Sequence, residues 1–142
     1  MERMTERLES VKSGAIAASA TVVSFEVFSI INSQLGTGDR LGSPFGADPF
    51  HWVLSSAIVA VSGFLFGVTY RYIIRDDANP HLKSGGVLAF GLVRGLTQLD
   101  LGLYLERPLW PVGVLVLESL VLFAVAGLVL DWAIARHWLK PF

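Results

Sequence analysis

Four apolar runs, each long enough to cross a bilayer, limit this chain more than any other feature. They cover residues 13–35, 50–74, 85–104 and 110–132 of a 142-residue sequence. A transmembrane helix needs about 20 apolar residues, because a bilayer's hydrocarbon core is about 30 Å thick and a helix rises about 1.5 Å per residue. Backbone polar groups in lipid must be satisfied within the segment, so the runs are expected to be helices and not strands. Charged residues make up 16% of the chain, and the hydrophobic fraction is 53%. Soluble domains average about 25% charged. The deficit is concentrated in the four runs, as in a membrane protein. The expected fold is an all-α membrane protein, a four-transmembrane-helix antiparallel bundle in a single domain spanning residues 1–142.

The first run begins after MERMTERLESVK, whose mixed charges and length do not suit the positive region of a signal peptide. The run itself exceeds the roughly 7–15 residues of a signal core. It is therefore expected to stay as an uncleaved first span. Met4, Leu8 and Val11 repeat at helical spacing among Glu2, Arg3, Glu6 and Arg7, which predicts a short amphipathic lead-in lying on the membrane surface. The glycine- and proline-rich segment 36–49 reads as a loop, residues 76–84 as a polar turn with Ser84 as N-cap, and residues 105–109 as a tight turn.

Basic residues divide unevenly between the two sides. Arg3, Arg7, Lys12, Arg71, Arg75, Lys83, Arg136 and Lys140 fall on one, and Arg40 and Arg107 on the other. The positive-inside rule then puts both termini and the 76–84 turn in the cytoplasm, or in the stroma of a plastid. On this reading Arg71 and Arg75 leave the membrane at the end of the second span. Aromatic residues near the span ends, His51–Trp52, Tyr70, Tyr72, Trp132 and Trp138, fit an interfacial belt.

The third span carries Arg94 near its centre and Gln98 one turn on. An arginine at that depth costs roughly 2.5–3.5 kcal/mol on insertion scales. Counting along the helices puts Glu26, Arg94 and Glu118 roughly 12–15 Å from one surface. The expectation is an intramembrane charge cluster of Glu26, Arg94 and Glu118, with Gln98 completing its hydrogen bonds. In such a cluster, losing Arg94 alone would strand two acids. Small residues at i, i+4 spacing, Gly63 with Gly67 and Gly91 with Gly95, predict close helix packing. Small-residue stripes on three spans look like more than one small bundle needs, which would leave surface for other membrane subunits or for self-association.

Chemistry-bearing motifs are absent from the sequence. Cysteine is absent, which excludes disulfides, thiol catalysis and iron–sulfur ligation. Nothing resembles a phosphate loop, a HExxH zinc site or a Ser/His/Asp set. No catalytic or metal-binding residue is assigned. Asp76, Asp77 and His81 are read as a solvated turn. His51, His81 and His137 sit at span ends, so no cofactor is assigned. A net charge of −1 gives no argument for nucleic acid.

Residues 64–96, FLFGVTYRYIIRDDANPHLKSGGVLAFGLVRGL, resemble a family of small integral membrane proteins of cyanobacteria and chloroplasts with no assigned activity. The similarity lies in the YRYIIRDD turn and the LAFGLVRGL span. It implies a thylakoid or plasma membrane of an oxygenic phototroph and a place beside photosynthetic complexes. The expected function is a non-enzymatic accessory or assembly factor for a larger membrane complex. The alternative is a small transporter or proton-conducting protein working through Glu26, Arg94 and Glu118.

Overall fold

The structure, a computed structural model, describes residues 1–34, 49–74, 79–106 and 109–140. Among the described residues it comprises four helices: α1 (Glu2–Gln34), α2 (Pro49–Ile74), α3 (Pro80–Tyr104) and α4 (Leu109–Ala135). No strand occurs among the described residues. All four helices are long and apolar enough to cross a membrane. The 36–48 part of the expected loop, Asp76, Asp77, Arg40, Arg75 and Arg107, and the side chains of His51 and Trp52, lie outside the described residues.

Two helix boundaries correct the sequence reading. The segment before residue 13 is not a separate lead-in, because α1 runs unbroken from Glu2. The first twelve residues contain no glycine or proline, so nothing interrupts the backbone ladder there. The N-cap of α3 is Asn79, not Ser84: the Asn79 side chain accepts the His81 N–H at 3.0 Å, and Pro80 occupies the first turn, where its missing N–H leaves no gap. Ser84 instead donates to the Pro80 carbonyl at 2.7 Å.

Helix α1 packs most closely on α2, and α3 on α4. In the first pair Ser13 meets Gly67, Thr21 meets Val59 and Glu26 meets Ser56, so residue numbers rise along one helix as they fall along the other. The second pair follows the same order, with Gly91 against Leu120, Gly95 against Val116 and Gly102 against Val112. Helix α4 also touches α1 and α2, and α2 touches α3, whereas α1 and α3 do not meet.

Glycines at 63, 67, 91 and 95 lie in these seams. A Cβ on Gly67 would run into the Ser13 carbonyl and lie 2.9 Å from Gly14 Cα, and one on Gly63 would collide with Thr21 Oγ1. On α3, a Cβ at Gly91 would stand 3.0 Å from Leu120 Cα, and one at Gly95 3.2 Å from Val116 Cα. Both small-residue pairs are therefore occupied by neighbours within this chain. They are not spare surface, and they lend no weight to a partner-binding role.

An aromatic knot joins the two pairs. Phe66 stands 5.3 Å, centroid to centroid, from each of Tyr70, Phe90 and Phe123. Beside buried Val59, Leu122, Leu130 and Leu139, the interior takes in the small or polar Ser10, Ser13, Ala17, Thr21 and Ser119, while many large aliphatic residues, among them Val23, Val27, Ile58, Val61, Leu65, Leu117 and Leu128, face outward. A soluble bundle places its large aliphatic residues the other way round. This distribution suits an apolar surround.

Helix α4 ends in a Schellman turn. His137 takes φ 59°, its N–H bonds to the Ile134 carbonyl at 3.0 Å, and the Trp138 N–H bonds to the Ala133 carbonyl at 2.9 Å. A histidine in the glycine position hid this turn from sequence inspection. The reversal sends Leu139 back into the core and leaves Lys140 beside α1 and α2.

Candidate functional site

Polar side chains collect at two places. The first is the end of the molecule where the start of α1, the end of α2, the start of α3 and the tail after α4 come together. Arg71 is its centre. Only 1% of this residue is exposed, and it is the largest fully buried side chain among the described residues. Its Nε donates to the Lys140 carbonyl at 2.8 Å. Its Nη1 donates to Ser10 Oγ at 2.7 Å and to the Glu6 carbonyl at 3.0 Å. Its Nη2 reaches Glu6 Oε2 at 2.6 Å. The Lys140 N–H donates to Glu9 Oε2 at 3.0 Å, and Glu9 pairs with Lys12 at 3.7 Å. Alongside, the Tyr70 hydroxyl donates to Asp131 at 2.9 Å, and Lys83 meets the same carboxylate at 3.4 Å.

Arg71 therefore does not leave the membrane as a solvated base. It turns inward and ties the first helix to the last residues of the chain. Guanidinium suits this task because its fork serves several acceptors at once. The partners lie 61 to 69 residues away in sequence, so no local pattern reveals them. Tyr70, expected at an interface, is buried with Asp131. Tyr72 is exposed, and Trp132 and Trp138 stack edge to face at 4.9 Å on the exterior, with Arg136 over Trp132 at 5.3 Å.

The second place is the middle of the bundle. Here the structure does not bring Glu26, Arg94 and Glu118 together. Glu26 accepts from Ser56 Oγ of α2 at 3.1 Å. Glu118 accepts from Asn32 Nδ2 of α1 at 2.7 Å. Arg94 makes no ion pair or hydrogen bond among the described residues. It lines a lateral cleft of about 330 Å³ with Ser62 and Leu65 of α2, Phe90 and Gln98 of α3, and Phe123 of α4. Gln98 Oε1 accepts from Ser119 Oγ at 2.7 Å.

Counting residues locates depth but not direction around the helix axis, and direction separates these groups. On α4, Ser119 is turned toward α3 and its neighbour Glu118, about 100° further round, toward α1. Arg94 shares its face of α3 with Gln98, one turn on. Removing Arg94 strands neither acid, since Glu26 keeps Ser56 and Glu118 keeps Asn32. A single amide or hydroxyl in an apolar run, such as Asn32 or Ser119, carries no signal of what it faces.

The arrangement holds helices together and leaves one cation in a side cleft. Among the described residues no group of three or more His, Cys, Asp or Glu is placed to hold a metal ion. His81 and His137 are both exposed. Comparison of the chain with protein-family models, with curated proteins and with solved structures finds no match to any of them.

Proposed function

We propose that the chain is an antiparallel four-span protein with both termini on the cytoplasmic or stromal side, acting as a non-enzymatic accessory or assembly factor for a larger membrane complex. The topology is supported by the excess of bases around the Arg71 end and by the bonds that gather both termini there. Reporter domains fused in turn to each terminus should both be inaccessible to protease added outside. A protected N-terminus with a cleaved C-terminus would overturn the topology.

The partner-binding role rests on one observation, the start of α1. This helix of 33 residues is about 50 Å long, against about 30 Å of hydrocarbon. Its charges all lie within the first dozen residues apart from Glu26, so the excess length stands on the side of the termini. There the usual amphipathic order is inverted. Ser10 and Ser13 face inward and the half-exposed Glu6 reaches Arg71, whereas Met4, Leu8 and Val11 form the opposite stripe and are 78%, 68% and 54% exposed. An apolar stripe of this kind outside the hydrocarbon suits the surface of another protein. The resemblance of residues 64–96 to small membrane proteins of cyanobacteria and chloroplasts favours a thylakoid or plasma membrane and a photosynthetic complex as the partner.

In mild detergent the protein is expected to co-migrate with a much larger assembly. The double change Met4→Glu and Leu8→Glu should release it from that assembly with its helix content and melting temperature kept. Wild-type protein running alone from its native membrane would sink the proposal. Transport through Glu26, Arg94 and Glu118 has less support, because Glu26 and Glu118 bond to different neighbours and Arg94 to neither acid.

A further inference from the structure

Among the described residues, the lateral cleft holds the clearest unmet chemical demand. Its hydroxyl protons are already committed: Ser62 Oγ donates to the Ile58 carbonyl at 2.8 Å, and Thr97 Oγ1 to the Val93 carbonyl at 2.7 Å. Gln98 Oε1 shares the single Ser119 hydroxyl proton with the Leu115 carbonyl, at 2.7 and 3.0 Å. The groups left over are the Arg94 guanidinium and the Gln98 amide N–H₂, and both are donors. Neither has an acceptor among the described residues. The cleft therefore calls for an acceptor, and Arg94 calls for one that is negatively charged.

Its position narrows the class further. Arg94 lies ten residues before Tyr104 and fourteen after Pro80, roughly 15 and 21 Å from the two ends of α3. That is near the middle of the hydrocarbon, beyond the reach of phosphodiester headgroups held at the interface. The cleft's volume of about 330 Å³ is at the lower end for ligand pockets, enough for an acid group and the first methylenes of a chain. The remaining walls, Leu65, Phe90 and Phe123, are apolar.

We propose that this cleft binds the carboxylate of a long-chain fatty acid that enters sideways from the bilayer. Arg94 forks the carboxylate, the Gln98 amide adds a third donor, and the chain lies along Leu65, Phe90 and Phe123. The inference is independent of the partner-binding role of α1.

The test uses full-length protein in phosphatidylcholine nanodiscs titrated with oleate labelled with ¹³C at its carboxyl. Wild-type protein should give a saturable bound carboxyl resonance that oleyl alcohol and methyl oleate do not displace. Arg94→Gln should weaken binding roughly tenfold or more, the loss of a charge-assisted hydrogen bond, and Arg94→Lys should recover part of it. Ser62→Phe fills the cleft while keeping Arg94, and should also abolish the bound signal, which separates loss of the site from loss of charge. Equal oleate binding by wild-type and Arg94→Gln protein, or displacement by methyl oleate, would show chain partitioning alone and overturn the proposal. So would a wild-type protein that binds no oleate but loses a co-purifying subunit on Arg94→Gln, which would assign the cleft to an acidic side chain of a partner.

Discussion

Arg71→Met will lower the stability of the folded protein by about 2–3 kcal/mol and loosen both termini. The size follows from what the substitution leaves behind. Methionine fills similar space but removes every donor from Ser10, from the Glu6 and Lys140 carbonyls and from the Glu6 carboxylate. Hydrogen bonds to a charged group contribute about 1.5–3 kcal/mol each, and they do not add simply in a network. Breaking a fully buried ion pair costs about 3–5 kcal/mol. Here Glu6 is 47% exposed and regains water, so the cost falls below that range. Arg71→Lys should recover little, because one ammonium cannot serve acceptors from three directions. Glu6→Gln should cost under about 1 kcal/mol, as for other half-exposed pairs. Unfolding in mixed detergent micelles measures all three, and limited proteolysis reports the release of residues 1–12 and the tail. An Arg71→Met protein as stable as wild type, with both termini still protected, would show that the cluster is incidental.

Gly67→Leu will do comparable damage at the other end of the scale of size, by adding atoms instead of removing them. The obstacles are the Ser13 carbonyl, Ala17 Cβ at 2.7 Å and Gly14 Cα at 2.9 Å, two of them backbone and the third a Cβ fixed to it. Backbone cannot rotate away as a side chain does, so α1 must move off α2. Overpacking a close-packed interior costs about 1–3 kcal/mol, and this site belongs at the top of that range. Displacing α1 also breaks the bond from Ser13 Oγ to the Gly67 carbonyl, 2.7 Å long and buried. Gly113→Ala is the control. A Cβ there meets nothing within 4 Å, so it should leave stability unchanged or raise it by up to about 1 kcal/mol through helix propensity. The same unfolding assay compares them. If Gly67→Leu and Gly113→Ala proved equivalent, the close approach of α1 and α2 would be wrong.

These two predictions rest on features of unequal legibility. The glycine seams could be located from residue order alone, because small residues four apart lie on one helix face whatever the fold. What each face meets could not: Gly63 and Gly67 receive α1, and Gly91 and Gly95 receive α4, which uses up the surface expected to be left for partners. Arg71 looked like one more base at a span end. Its role depends on Ser10 and Glu6 from the start of the chain and on a carbonyl at its end, brought back by a turn whose left-handed residue is His137 instead of glycine. Glu26, Arg94 and Glu118 failed in the opposite way. A rise of about 1.5 Å per residue is enough to assign depth, but a turn of about 100° per residue makes neighbours face different helices.

Sequence by itself determined the four helices of membrane-spanning length among the described residues, their approximate limits and the uneven distribution of positive charge, because these depend on apolar length and on the nearest residues. Tertiary structure alone decided which polar groups meet. Asn32 with Glu118, Ser56 with Glu26, Arg71 with both ends of the chain, and the cleft left around Arg94 all follow from how the helices are rotated and packed. That rotation is set by contacts between residues tens of positions apart, through close packing and the need of each polar group in an apolar surround to find a partner.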